Sequence, residues 1–364
     1  MNKVCVYAIA KDEEQFVERW VESVSPADKI IVLDTGSTDN TVDKLTALGV
    51  EVTQIHYEHF RFDQARNDCL DLIPEEYNIR VSIDLDEVFG SDDWADVLRS
   101  RWDENNPRII YSYVWAHNKG GSNGLEFYIN KIHGTDPYLR WEGAVHEHLI
   151  DTRTGQRGFE NYIDLTKEIT VHHYPDLSRD RLFYKDLAYE RIQEHPDDYQ
   201  AIVLLGNEER VKGDPKEAIR WYIYVLENFQ ERMDTTEIAA VYYALGCSYK
   251  SEKKAVEAMV SYTNGIAINK LYRDNYYGLG VLLFENQMFD MARGVLEEAL
   301  KSTKRFYFWM EDNYTWTFAV YDILGCVYNR LGDNDKALAA AAKALSFEPT
   351  NENLVKNYTT YLTS

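Results

Sequence analysis

A pattern that recurs four times in the second half of the chain limits its fold more than any other feature. A Leu-Gly pair occurs at 205–206, 245–246, 279–280 and 324–325, and an alanine follows 12 residues after each glycine. Successive glycines lie 40, 34 and 45 residues apart. Because small residues let two antiparallel helices approach closely, the pattern predicts an array of helix pairs.

The four units resemble tetratricopeptide repeats, in which Leu-Gly, Tyr, Ala and a late Pro recur about every 34 residues. The last unit matches best, with Tyr328, Ala337, Ala344 and Pro349 after its Leu-Gly pair. The two longer intervals predict insertions. The resemblance implies an all-α superhelix whose face binds a peptide, another protein or a second copy of the chain.

The first half alternates short apolar runs with segments of helical spacing. Strands are predicted over Val4–Ala10, Lys29–Asp34, Val50–His56 and Arg80–Ile83, and helices over Glu13–Val24, from Ser37 or Thr38 to Leu48, and over Phe62–Leu72. Later strands are predicted over Arg108–Ala116, Leu125–Ile132 and Glu168–His173. The alternation indicates a Rossmann-like α/β domain with a mixed sheet over residues 1–190, followed by about four repeats over 191–364.

Composition excludes several classes of protein. The formal net charge is −22, from 61 acidic and 39 basic residues, so nucleic acid and anionic lipid are not expected partners. The four cysteines form no C-x-x-C pair, which argues against a zinc site or a disulfide framework. No apolar run reaches about 18 residues, so no membrane span is expected. We expect a soluble, cytoplasmic protein.

Polar segments follow the first strands at the points where those strands end. They are Lys11–Glu14, Asp34–Asp39, Ala65–Asn67 and Asp84–Glu87. Ligands of open α/β sheets bind at the carboxyl ends of the strands, so these segments are expected to converge on one site.

Asp84 and Asp86 suggest a metal site. If the strand continues, the two carboxylates point the same way, and they repel each other unless a cation lies between them. Oxygen ligands suit Mn²⁺ or Mg²⁺, which can bridge phosphates and stabilise a departing nucleotide. The alternative is a solvated acidic turn.

The segments KDEE, LDTGSTDNT, ARN and DLDE together resemble those of family 2 glycosyltransferases, which have the GT-A fold. The similar subgroup is bacterial, reads KNEE, VDTGSTD, ARN and DADE, and carries tetratricopeptide repeats after the catalytic domain. The resemblance therefore covers the whole chain. The two departures, KDEE and DLDE, leave the key carboxylates in place.

The resemblance implies roles for individual residues. Ala10, Lys11 and Glu13 would lie against the nucleoside, Asp34 would contact the uracil or ribose, and Arg66 would reach the base or phosphate. Asp84 and Asp86, the motif called DxD, would together hold the metal and the ribose or diphosphate. Asp34 could instead cap the next helix, and Arg66 could form an ion pair on a helix surface.

The segment 141–148 supplies the candidates for a catalytic base. Glu147 is the first candidate and Glu142 the second, because an inverting transferase needs one group to accept the acceptor's proton. His146 could instead orient the donor sugar or the diphosphate. The alternative is a surface loop with no catalytic member.

Histidines end the last predicted strand of the first domain. Strand alternation places His173 on the same side as Ile169 and Val171, and the resemblance implies a late histidine on the metal. A neutral imidazole suits Mn²⁺ as a third ligand. Whether His173, His172 or neither binds metal stays open, since a packed strand-end histidine would look the same.

The prediction is an inverting hexosyltransferase that moves a sugar from a nucleotide-sugar, with UDP favoured, to a hydroxyl or thiol. The repeats favour a peptide or protein acceptor, and a homodimer through the repeats stays open. The alternatives are a transferase acting on a glycan or lipid-linked acceptor and a scaffold with a silent first domain. A nucleotidyltransferase is disfavoured, because the loop after the first strand has no glycine.

Overall fold

The computed structural model describes residues 2–117, 123–155, 162–176 and 182–363. The chain divides into two compact units, Met1–Ala116 with Glu126–Arg191 and His117–Leu125 with Ile192–Ser364. In the four described ranges, no helix is both long and apolar enough to cross a membrane.

The first unit is built on a mixed β-sheet, as the sequence predicted. Its elements are β1 (Val4–Ala10), α1 (Val17–Val24), β2 (Lys29–Asp34), α2 (Thr41–Ala47), β3 (Glu51–Gln54), α3 (Phe62–Asp71), β4 (Ile79–Ser82), β5 (Glu87–Phe89), α4 (Trp94–Arg101), β6 (Arg108–His117), β7 (Asn123–His133), β8 (Leu139–Glu142), β9 (His148–Asp151), β10 (Ile163–Asp164), β11 (Thr170–His173) and α5 (Leu182–Glu194).

The sheet order is β3-β2-β1-β4-β7-β6-β11-β5, with β10 beside β6 and with β8 and β9 as a separate pair. Strands β1 to β4 run parallel, while β7 runs antiparallel to β4. The carboxyl ends of β1, β2 and β4 therefore lie at one edge of the sheet. The strands carry apolar side chains on both faces, because helices cover both, and Trp20 of α1 is fully buried there.

Helix α1 begins at Val17, not at Glu13, and the backbone before it bonds to a neighbouring loop. The N–H groups of residues 12–14 donate to the side chains of Ser37 at 2.8 Å, Thr41 at 2.7 Å and Asp39 at 3.1 Å. The loops after β1 and β2 are thereby joined.

Helix α2 begins at Thr41, so the prediction of Ser37 or Thr38 as its N-cap was wrong. The Ser37 hydroxyl donates to Asp34, and the Thr38 N–H donates to Asp12 at 2.6 Å. Both residues stabilise the loop between β2 and α2, because a short polar side chain can bond to nearby loop groups in place of capping a helix.

The main segment of the second unit consists mostly of helices. Its elements are α6 (Tyr199–Lys212), α7 (Pro215–Phe229), a 3₁₀ turn (Gln230–Arg232), α8 (Thr235–Ser251), α9 (Ala255–Ile268), α10 (Arg273–Glu285), α11 (Phe289–Ala299), α12 (Asn313–Trp316), α13 (Ala319–Arg330), α14 (Asn334–Phe347) and α15 (Glu352–Leu362). The predicted helix pairs are α6 with α7, α8 with α9, α10 with α11, and α13 with α14.

The glycines of the repeated pattern lie where two helices meet. A Cβ atom on Gly206 would come within 2.8 Å of the Tyr222 ring, and one on Gly246 within 2.4 Å of Tyr262. Ala218 is fully buried in the helix that follows Gly206. The predicted close approach of paired helices is therefore confirmed.

Residues 300–318, which we call the insertion, account for the longest interval between repeats. The Arg273 guanidinium holds this segment by donating to the carbonyls of Ser302 at 2.5 Å and Thr315 at 3.2 Å. It also lies 3.7 Å from the centre of the Trp316 ring. These contacts attach both ends of the insertion to the start of α10.

The insertion contacts the first helices of three successive pairs. Phe308, Trp309 and Met310 line a small cavity together with α6 and α8. The Tyr272 hydroxyl, next to α10, donates to the Met310 carbonyl at 2.9 Å. The buried Asp274 of α10 accepts from the Asp312 N–H at 2.9 Å. The insertion is therefore a packed part of the array.

Candidate functional site

The loops after β1 and β2 bring four of the predicted nucleotide ligands together. The Ala10 carbonyl accepts from the Thr35 N–H at 2.8 Å, and Lys11 and Glu13 lie in the joined loop that follows. Asp34 is buried and accepts from the N–H groups of Gly36 and Ser37, each at 3.1 Å. Asp34 thus fixes its own loop, and its role as a nucleotide ligand stays a prediction.

Arg66 joins three parts of the predicted site. Its guanidinium, buried at the sheet edge, donates to the Ser82 hydroxyl at 3.0 Å and to Asp84 at 2.9 Å. Its Nε donates to Glu147. The Trp141 ring lies 5.3 Å from the guanidinium. Arg66 is therefore not the helix-surface ion pair that the sequence left open.

Lys131 and Glu87 belong to the same cluster. Sequence reasoning missed Lys131, and it included Glu87 in the polar segment Asp84–Glu87 without giving it a role. The Lys131 ammonium donates to Asp84 and to Glu87, each at 3.1 Å. Glu87 also accepts from the Tyr113 hydroxyl at 2.5 Å and from the Asp84 N–H at 2.9 Å. A lysine among the apolar residues of β7 was the available signal, because lysine is almost never buried unless paired.

Carboxyl groups outnumber cations in this cluster. Two cations, Arg66 and Lys131, accompany the carboxyl groups of Asp84, Asp86, Glu87 and Glu147. Burial would raise the pKa of Asp84, but the two cations outweigh it and hold that pKa well below its usual value. Burial raises the pKa of Glu87 in spite of Lys131, and Asp84 and Asp86 add to the rise. Such a cluster favours an additional cation.

The strand does not continue through the DxD segment. The Glu87 N–H donates to the Asp84 carbonyl at 2.9 Å, which forms a turn between β4 and β5. The expectation that Asp84 and Asp86 point the same way along one strand is therefore not met. Asp84 lies against Arg66 and Lys131, while Asp86 faces His173 at 3.1 Å from carboxylate oxygen to Nε2.

The contacts of His173 determine where its ring proton lies. Its Nδ1 is 3.0 Å from the Trp115 carbonyl, which can only accept, so Nδ1 carries a proton. In the neutral ring, Nε2 then presents a lone pair to the Asp86 carboxylate. Two acceptors facing each other require a proton or a cation between them. Burial lowers the pKa of His173, but Asp86 outweighs it and the net shift is upward.

The Asp86–His173 pair has the donor set and spacing of two metal ligands. Neighbouring ligands of a six-coordinate ion with bonds of about 2.1 Å lie about 3 Å apart. A metal-bound histidine commonly donates its other N–H to a backbone carbonyl, as His173 does. Within the described ranges, however, no three His, Cys, Asp or Glu side chains form a ready metal cage. A bound ion would need further ligands from substrate or water.

His172 lies on the other side of β11. A Cβ atom on Gly90 would come within 3.2 Å of the His172 Nε2, which places that ring against β5 and its following turn. Of the two histidines, His173 is the one that faces Asp86. The alternation predicted for this strand is therefore correct, while its metal-binding role stays a prediction.

The loop between β8 and β9 carries the predicted catalytic residues and is held from two sides. The Gly143 N–H donates to Asp63 at 2.9 Å, and Arg191 of α5 donates to the carbonyls of Val145 at 2.6 Å and His146 at 2.5 Å. Gly143 has a φ of 116°, and a Cβ there would come within 2.9 Å of Arg191. Only glycine fits this position without strain.

The three candidate catalytic residues occupy different parts of this segment. Glu142 ends β8 and pairs in register with His148. His146 lies in the loop with a φ of 51°. Glu147 reaches Arg66 and is thereby linked to Asp84. The sequence did not indicate the supporting Asp63 and Arg191, because they lie on helices distant along the chain.

Two ranges of the chain match sequence models of known protein families. Residues 5–154 match the sequence model of glycosyl transferase family 2. The chain carries a family 2 glycosyltransferase domain. Residues 318–351, which include α13 and α14, match a tetratricopeptide repeat. The expected combination of a glycosyltransferase domain and tetratricopeptide repeats is therefore confirmed.

The chain is also similar to one curated relative and to several solved structures. A TPR repeat-containing protein of Synechococcus elongatus is 27% identical over 232 residues, which cover 61% of this chain and 56% of that protein. The chain thus spans little more than half of the relative's length. A TPR protein of Thermus thermophilus is 19% identical with a TM-score of 0.38, covering 50% of this chain and 89% of that one. The MamA protein is 23% identical with a TM-score of 0.36, covering 45% and 81%.

Proposed function

We propose that the glycosyltransferase domain is a metal-dependent enzyme that transfers a hexose from a UDP-sugar, with inversion, to a hydroxyl or thiol. One observation carries this proposal: the Asp86 carboxylate and the His173 Nε2 lie 3.1 Å apart, beside a cluster with more carboxyl groups than cations. Inversion rests on the resemblance to family 2.

The loops after β1 and β2 would bind the nucleoside. Ala10 ends β1, Lys11 and Glu13 lie in the loop that follows it, and Asp34 orders the second loop. Arg66 and Asp84 lie at the neighbouring strand end, where the ribose and diphosphate would follow. Asp84 is held in place by Arg66 and Lys131, so a ribose hydroxyl would meet a fixed carboxylate.

Asp86 and His173 would hold Mn²⁺ or Mg²⁺, with Asp84 as the remaining protein candidate. Such an ion stabilises the negative charge that develops on a departing diphosphate. His173 is suited to this position because the Trp115 carbonyl fixes its tautomer and ring orientation.

In the proposed reaction, the acceptor oxygen or sulfur attacks the anomeric carbon. The bond between that carbon and the diphosphate oxygen breaks, and its electron pair leaves with UDP. Glu147 accepts the acceptor's proton, with Glu142 as the second candidate and His146 in an orienting role. The ion pair with Arg66 fixes one oxygen of Glu147, so the other oxygen would serve as the base.

The acceptor is proposed to be a peptide or protein bound by the repeats, which are a common protein-binding scaffold. Because the insertion covers parts of α6, α8 and α10, the acceptor would use another surface of the array. A glycan or lipid-linked acceptor would not need these repeats.

Titration of UDP, GDP and ADP with and without Mn²⁺ tests the donor proposal. Calorimetry is expected to show that UDP binds at least about tenfold more tightly with Mn²⁺, because Asp86 and His173 would hold an ion whose charge offsets that of the diphosphate. GDP and ADP are expected to bind more weakly. If the wild-type protein binds no nucleotide in either condition, the enzyme proposal fails and a scaffold role gains weight.

Removal of the repeats tests the acceptor proposal. A chain truncated after residue 195 is expected to bind UDP as the full chain does, but to transfer sugar to a protein acceptor at least about tenfold more slowly. Lost docking lowers the effective concentration of the acceptor. Retained UDP binding is the control for folding. Undiminished transfer by the truncated chain would contradict docking by the repeats.

A further inference from the structure

Three aromatic side chains lie along one side of β6. Tyr111, Tyr113 and Trp115 alternate with residues of the opposite face, and the first two are 1% and 2% exposed. Trp115, the last of the three, is 39% exposed. Of the eight tryptophans, all in described parts of the chain, it is the only one exposed by more than a third. The aromatic row thus leads from the core to solvent.

One face of the Trp115 indole is covered by a proposed metal ligand. Its ring centre lies 4.5 Å from that of His173, with an angle of 27° between the planes. Since the imidazole covers one face, the exposed area of the indole belongs to its other face and its edge. Trp115 therefore presents a flat apolar surface directly beside the Asp86–His173 pair.

Trp115 leaves its aromatic surface open beside a set of fixed polar groups. Tyr113, two residues earlier, buries its ring and uses its hydroxyl on Glu87. Ligand sites combine apolar and aromatic walls with a few fixed polar groups, and here the polar groups lie next to the indole. A diphosphate held at Asp86 and His173 would bring the sugar attached to it within reach of this wall.

We propose that Trp115 forms the wall against which the hexopyranose ring of the donor packs. The inference rests on the proposed function and adds the side chain that recognises the sugar. One face of a pyranose ring presents C–H groups with positive character, which suit the negative face of an aromatic ring. The contact also removes water from the sugar beside the anomeric carbon.

Three variants test this contact. Trp115→Leu keeps apolar volume over His173 but removes the flat ring, whereas Trp115→Tyr keeps an aromatic face. Tyr138→Leu is the matched control, because Tyr138 is an exposed aromatic of the same unit that packs against Arg153. Calorimetry in Mn²⁺ compares UDP with UDP-glucose, UDP-galactose and UDP-N-acetylglucosamine.

Trp115→Leu is expected to weaken the best-bound UDP-sugar roughly fivefold to tenfold and to leave UDP within about twofold of wild type. Trp115→Tyr is expected to keep most of the affinity for the sugar, and Tyr138→Leu all of it. Because UDP lacks the sugar, its unchanged binding shows that His173 and the fold are intact.

The proposal is overturned if Trp115→Leu weakens UDP and the UDP-sugars equally, since the ring would then act only by supporting His173. It is also overturned if neither changes, or if the only effect is a higher KM for the acceptor. If the wild-type protein binds no nucleotide, the proposed function fails first. That result is distinguishable, because it does not involve the variants.

Discussion

Asp86→Ala is expected to abolish the gain in UDP affinity that Mn²⁺ provides and to lower the rate of sugar transfer at least about a hundredfold. The substitution removes the carboxylate that faces His173 at 3.1 Å and leaves a lone imidazole at that point. Calorimetry with UDP and Mn²⁺, together with release of UDP from a UDP-sugar, measures both effects.

Asp92→Ala is the matched control for this prediction. Asp92 is an exposed aspartate shortly after β5, so its loss removes the same charge outside the cluster. It is expected to change neither the affinity for UDP nor its dependence on Mn²⁺. Wild-type dependence on Mn²⁺ in Asp86→Ala would exclude Asp86 as a ligand and leave its pairing with His173 as a structural contact.

Glu147→Gln is expected to lower kcat by about 10²- to 10⁴-fold with little change in the affinity for UDP. The glutamine oxygen can still accept from the Arg66 guanidinium, but the amide cannot take up the acceptor's proton. Single-turnover transfer and UDP titration separate the loss of proton transfer from the loss of binding.

Glu142→Gln serves as the comparison, because Glu142 lies in the same segment at the end of β8. If Glu147 is the base, Glu142→Gln should retain most of kcat. A large loss in Glu142→Gln with normal kcat in Glu147→Gln would exchange the two roles. A parallel loss of kcat and UDP affinity in Glu147→Gln would show that Glu147 instead positions Arg66.

Local patterns were sufficient to predict the sheet and its polar edge. Asp34 and Asp84 each follow an apolar strand, and parallel strands end at a common edge, so their proximity could be predicted without coordinates. The Leu-Gly pairs likewise predicted the helix pairs, because close packing needs small residues at fixed intervals. Both inferences rest on spacing within short segments.

The partners of these residues could not be predicted in the same way. Lys131 reaches Asp84 because β7 runs antiparallel beside β4. No local sequence pattern specifies the order of strands in a sheet. Arg191 holds a loop some 45 residues earlier in the chain. The turn at Asp84–Glu87 also differed from expectation, because a buried glutamate bonded to the backbone where a continued strand was assumed.

The insertion has a consequence for how the repeats unfold. In a simple array each repeat contacts only its neighbours, so stability is a sum of local terms and the ends can fray. Residues 300–318 instead connect α10 with α6 and α8 through Met310 and the side chains around it. Loss of the first repeat, α6 with α7, would therefore expose part of the insertion, which is attached to the third repeat, α10 with α11. The early repeats gain a cooperativity that nearest-neighbour contacts alone do not provide.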